Sequence, residues 1–185
     1  LGKSFADSHT HVLVSGASVV DSGDLDDMCR LVTEHGYART PNSHLLLFAN
    51  MLDLEKVSTF RAGVESRSGG PIASHSWIPT DSAPPYLTDQ NIVGKVAPSE
   101  FNGLKILGQY GELWCTATEL IPQGHMAVVA TGGPNSLLNP VMYREHSASA
   151  YRGLLHIPGP RPAYPLQDSF FVRSSGTGIR HRASV

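Results

Sequence analysis

Apolar positions in the first third of the chain fall into two helix-spaced groups with a strand-length run between them. Leu25, Met28, Cys29 and Val32 recur at i, i+3, i+4 and i+7, so they share one face of a helix predicted over 25–35. Asp24 is placed to cap it, with Asp27 at the capping-box position. Asp26 also falls in the first turn, where a carboxylate suits the positive end of the helix dipole. Gly36 can take the left-handed conformation that ends a helix. The largely apolar run 43–49 has strand length and leads into Asn50, a capping residue for a second helix through about Arg61. Asp53 stands three residues on as capping partner, Leu54, Val57 and Phe60 line one side, and Gly63 closes the helix. Strand, cap and helix in that order predict an α/β lobe.

The pattern then changes. Gly69, Gly70, Pro71, Pro79, Pro84 and Pro85 punctuate residues 64–85, with many Ser between them, which predicts an extended, mobile loop without regular structure. Short strand patterns follow: 103–110 and 112–120 pair around Gly111, and 126–131 is entered through the turn Ile121-Pro122-Gln123-Gly124. Gly132-Gly133-Pro134-Asn135 is expected at a loop tip, with weaker strands over 141–145 and 169–173.

Charge and composition narrow the partners. The 14 Lys and Arg nearly balance the 16 Asp and Glu, so no basic excess marks a dedicated nucleic-acid binder. Apolar runs such as 45–49 and 126–130 are too short to cross a bilayer, and no charged start followed by an apolar core suggests a secretory signal. Cys29 and Cys115 match neither a disulfide framework nor a metal spacing, and are expected as buried, reduced thiols.

Asp7-Ser8-His9-Thr10-His11 is the segment most suggestive of chemistry. Alternate residues of a strand point the same way, so His9 and His11 could present two imidazoles to a divalent ion that activates water for hydrolysis. This resembles the first metal site of amidohydrolases, but their (β/α)₈ barrel takes about 250 residues, and a polar extended strand is the plainer reading. His35, His44, His75 and His125 offer no pattern that completes the site. Glu34-His35 and Glu145-His146 are adjacent pairs without a zinc-protease motif, and no nucleophile elbow occurs. Neither Gly132-Gly133 nor Gly176-Thr177-Gly178 has the setting of a phosphate loop. Arg173, Arg180 and Arg182 form a small basic cluster suited to phosphate or to acids of a neighbouring chain. Arg144, Glu145 and Arg152 would set register at an assembly rim. Catalytic, cofactor and metal residues are therefore all expected to be none.

Taken in order, several segments resemble the major capsid proteins of tailed bacteriophages. Glu34-His35-Gly36-Tyr37 after the first helix, the strand over 43–49 and the Asn50 turn resemble that family's spine helix entering its axial domain. Leu120-Ile121-Pro122-Gln123-Gly124-His125-Met126 resembles its apolar-Pro-x-Gly turn. Asn139-Pro140-Val141-Met142-Tyr143-Arg144-Glu145, Tyr151-Arg152-Gly153-Leu154, and the stretch from Tyr164-Pro165-Leu166 to Gly176-Thr177-Gly178-Ile179-Arg180-His181-Arg182 resemble later segments of actinobacterial-phage-type sequences. The resemblance implies a mixed α/β (α+β) capsid fold, also used by encapsulin shells. It implies a peripheral domain with the spine helix over 1–42, an axial domain over 43–139, and a return to the peripheral domain over 140–185. The family's N-terminal arm and extended loop precede the spine helix, so a C-terminal part of a longer protein is expected. The implied role is a structural, non-enzymatic subunit of an icosahedral phage or prophage head, assembled in the bacterial host cytoplasm. Its implied partners are itself, in pentamers and hexamers, with scaffold and portal proteins, nonspecific contact with packaged DNA, and no membrane. An encapsulin-type compartment is the alternative with the same fold, and a metal-dependent hydrolase using His9 and His11 the alternative of another class.

Overall fold

The computed structural model describes residues 10–40, 43–66, 69–80, 97–133, 141–160 and 169–179. In chain order the elements are α1 (Ser22–Thr33), β1 (Leu45–Ala49), α2 (Met51–Val57), β2 (Trp77–Pro79), β3 (Glu100–Phe101) and β4 (Leu104–Lys105). They continue with β5 (Gly108–Tyr110), β6 (Leu113–Ala117), β7 (Met126–Ala130), β8 (Val141–Glu145), β9 (Leu155–Pro158), β10 (Ser169–Val172) and β11 (Ser175–Ile179). The fold is mixed α/β, as the sequence predicts. It divides into two compact units, residues 1–140 with 182–185, and 141–181.

The first unit is organised on β1. This strand lies inside a five-stranded sheet of order β2-β5-β6-β1-β7, parallel to β6 and antiparallel to β7. Its sequence, Leu-Leu-Leu-Phe-Ala, lacks the polar alternation of a half-exposed strand because both faces are covered. On one side Leu45 and Leu47 join Leu113, Cys115, Val128 and Ala130 beneath Leu25 and Val32 of α1 and Leu54 and Val57 of α2. On the other, Leu46 and Trp114 pack with Ala97 and Ile106, beside the partly buried Phe101 and Leu104. The short hairpin β3–β4 supplies those last two residues. It turns through Asn102 and Gly103, whose φ angles of 49° and 80° give the Asn-Gly turn that matches strand twist.

The first helix begins three residues earlier than the apolar spacing suggests. Asp21 is the cap, and Asp21 and Asp24 exchange hydrogen bonds of 3.0 Å between side chain and backbone amide. The opening turn is polar because Ser22, fully buried, donates to the carbonyl of Pro71 at 2.9 Å. That contact also corrects the expectation of a mobile loop over the described part of 64–80. Glu65 and Ile72 form an antiparallel bridge, Ser74 donates to Asp26 at 2.7 Å, and β2 adds an edge strand to the sheet. Residues 81–85 of that expected loop lie outside the described residues.

Asn50 caps α2 as predicted, accepting from the amide of Leu52, but Asp53 has a different task described below. The expected loop tip at Gly132-Gly133 is corrected as well, since both residues are buried. Ser43 donates to the Gly132 carbonyl at 2.6 Å, and a Cβ at Gly133 would fall inside the Tyr37 ring. Pro134 and Asn135 are outside the described residues.

The second unit pairs β8 with β11 and β9 with β10 in two antiparallel ribbons. None of its side chains described is buried.

Leu47→Ala should cost about 2–5 kcal/mol, since it empties a site enclosed on all sides. Gly133→Ala should cost about 1–3 kcal/mol by forcing Tyr37 aside. Denaturant midpoints at constant m-value measure both, and unchanged midpoints would contradict the packing described.

Candidate functional site

A cavity of about 580 Å³ opens where residues 11–20 pass α1, α2 and the turn into β7. Val12, Leu13, Val20, Met28 and Met126 give it apolar walls, while His11, His125, Asp53 and Lys56 supply polar groups. Asp53 is already engaged. Buried to 3% exposure, it accepts from the Gly124 amide at 2.7 Å and from Lys56 Nζ at 3.3 Å. Asn50 Nδ2 reaches the Ile121 carbonyl at 3.5 Å, so α2 is tied to the Ile121–Gly124 turn at two points. The turn is the one read in the sequence, with Gly124 at φ 82° and the His125 amide bonded to the Pro122 carbonyl. Spacing alone suggests Asp53 as a capping partner; its long-range acceptor role, 71 residues along the chain, has no local signature.

His9 lies outside the described residues. The His11 ring is 5.0 Å from that of His35 at the end of α1, and His44 stacks on Trp114 at 3.9 Å on the other face of the sheet. His75 meets Tyr110 edge-on, and His125 lies at the cavity, so these four positions are not brought together. Among the described residues no group of three His, Cys, Asp or Glu is placed to hold a metal.

Both cysteines are free thiols, Cys115 buried and Cys29 half-buried. Burial, reinforced by the charges of Asp26 and Glu112, pushes the Cys29 thiol up to about 12. Burial likewise raises Cys115. A raised thiol favours the protonated fold, so its stabilising contribution is full below roughly pH 8.5, the ordinary thiol value, and is lost as pH rises towards 12.

Apolar side chains also stand open on the surface. In the second unit Phe170 and Phe171 are 54% and 65% exposed, and Ile157 faces Phe170 across the ribbon. Arg173 pairs with Glu145 at 3.4 Å and lies over the Tyr143 ring at 5.5 Å. It does not form a described cluster with Arg180 and Arg182, which are outside the described residues. Arg152 donates to the carbonyls of His146 and Ser147, bracing one loop. In the first unit Met51, Leu52 and Leu120 are exposed at the sheet end from which α2 departs.

No protein-family profile and no curated protein matches the chain. Among solved structures it is similar to a protein of Mycobacterium phage Patience, with 36% identity and a TM-score of 0.81. The match covers 98% of this chain and 48% of that one, so the chain spans about half the length of its phage relative. The mixed α/β fold is thus shared with a phage protein. No described helix is long and apolar enough to cross a membrane.

Asp53→Ala should lower stability by about 1.5–3 kcal/mol, the scale of a hydrogen bond to a charged group. Amide exchange at Gly124 should accelerate more than that at Val128. Equal acceleration at both sites would mean that Asp53 does not act on the turn. A thiol reagent at pH 8 should leave both cysteines unmodified in the folded chain and modify both after denaturation. Rapid modification of Cys29 without unfolding would contradict its shielding.

Proposed function

We propose that the chain is the C-terminal part of a tailed-phage or prophage major capsid protein, a structural subunit that assembles with copies of itself into pentamers and hexamers around packaged DNA. The carrying observation is its likeness to a phage protein over nearly its whole length, at a TM-score of 0.81. The distribution of burial supports the same reading. One unit has a packed two-faced sheet, while the other offers ribbons whose aromatic side chains remain open to a neighbour. Exposed apolar patches of this kind mark protein contacts more often than catalytic clefts. A net charge of −2 limits repulsion among many copies. Scaffold and portal proteins are the further partners of such a subunit, and contact with DNA is nonspecific.

Negative-stain electron microscopy with light scattering, on the protein expressed at the full length of its reading frame, tests this. Closed shells or five- and six-membered rings are the expected result. A monodisperse monomer or dimer at every concentration and salt would sink the proposal.

A further inference from the structure

The chain's one Asn-Gly pair stands at the tip of the β3–β4 hairpin. An asparagine followed by glycine carries chemistry of its own. The backbone nitrogen of the glycine can reach the side-chain carbonyl carbon of the asparagine and close a five-membered ring, and glycine has no side chain to shield that nitrogen. Geometry decides whether the ring closes, because the Cα–Cβ and C–N bonds must come close to eclipsed. For an L residue this needs a ψ of about −120°, the value at the first central residue of a type II′ turn.

Asn102 and Gly103 are both exposed, with φ of 49° and 80°. Positive φ at both central residues is the type I′ turn. Types I′ and II′ share a φ of about +60° at the first central residue and differ in the peptide plane that follows it. Rotating the 102–103 peptide therefore carries the Gly103 nitrogen to the Asn102 carboxamide while Asn102 keeps its φ. Glycine accepts the change of sign at its own φ. Both turns match the twist of a hairpin, so the strands stay paired throughout.

The surroundings favour movement at the tip alone. At the base, the Ile106 amide donates to the Ser99 carbonyl at 2.9 Å, and the Thr116 hydroxyl donates to the Lys105 carbonyl at 2.8 Å. At the tip, among the described residues, neither the Asn102 carboxamide nor the Gly103 amide makes a hydrogen bond. No atom beyond the chain neighbours lies within 4 Å of the place a Gly103 Cβ would take.

We propose that Asn102 is a self-modification site, converted within the folded chain to aspartate and isoaspartate through a cyclic imide. The Gly103 nitrogen attacks Asn102 Cγ, the bond from Cγ to the amide nitrogen breaks, and ammonia leaves with the proton that Gly103 gives up. Water then opens the ring at one carbonyl or the other, yielding aspartate or isoaspartate. Aspartate adds a negative charge and still suits the turn. Isoaspartate also inserts one backbone carbon into a hairpin of only two residue pairs. That insertion displaces Phe101 and Leu104 from their packing beside Trp114, so one cover of the sheet loosens with age. The inference stands apart from the shell-subunit reading.

The experiment incubates the folded protein at pH 8 for several weeks, with circular dichroism to follow the fold, and maps tryptic peptides by mass spectrometry. Peptide 96–105 contains no side-chain amide except Asn102, so its conversion to acid reports this residue alone. Its amide form should be lost progressively to two acid products, while Asn50, held as a helix cap, stays an amide. Asn102→Gly, which keeps a sequence suited to the same turn, should abolish the acidic shift of the intact chain in isoelectric focusing. Amide exchange at Leu104 should be faster in aged wild type than in the aged variant.

A peptide that stays an amide in the folded protein, while protein unfolded in urea converts, would overturn the proposal. Aspartate without isoaspartate would also overturn it, because direct hydrolysis of the side chain gives aspartate alone. An acidic shift undiminished in Asn102→Gly would place the chemistry at another residue. Equal exchange at Leu104 would overturn the loosening of the hairpin.

Discussion

The burial of β1 on both faces is the constraint from which the first unit is built. Five consecutive residues have their backbone groups paired on either side, to β6 and to β7, and their side chains covered above and below. A strand in that position cannot alternate with polar residues, because a charge on either face would be stripped of water without a partner. Everything nearby follows from satisfying it. Two helices cover one face, while the β3–β4 hairpin and Trp114 cover the other. Asp53 and Asn50 then fix how the chain leaves the strand, by holding α2 to the turn that brings β7 back.

The second unit follows a different rule. Its ribbons satisfy backbone hydrogen bonds locally, but none of its described side chains is buried and its described aromatic side chains remain in contact with water. A set of 41 residues has little capacity to bury surface by itself. Apolar groups left open in that way favour a cover from elsewhere. The proposed role in a shell gives that cover a source.

Local pattern made much of this legible. The faces of α1 and β1, the Asn50 cap, the hairpin at Gly111 and the turn at Gly124 all depend on residues a few positions apart. The start of α1 was hidden because its first turn is polar, held by the distant Pro71 carbonyl in place of apolar spacing. The same long-range bond made a Gly- and Pro-rich stretch look loose when it is fastened to a helix. Gly133 read as a loop residue, although its small size serves the ring of Tyr37. The hairpin at Asn102-Gly103 did carry a sequence signal, an Asn-Gly pair between Phe101 and Leu104, which a single strand drawn over 103–110 conceals. As for function, the Asp7–His11 segment attracts notice by spacing, whereas the exposed patches on α2 and β10 emerge only once burial is known.

The parallel pairing of β1 with β6 has a consequence for how the chain reaches this state. Leu45 pairs with Leu113, a separation of 68 residues, so the centre of the sheet joins segments made far apart in time. On the ribosome β1 emerges complete, with every side chain apolar, before its neighbours on either side exist. Pairing at such distance is slow because the intervening chain must close first. During that interval the Leu-Leu-Leu-Phe-Ala segment is open to unwanted association. A chaperone that holds short apolar stretches would therefore find a site at Leu45–Ala49.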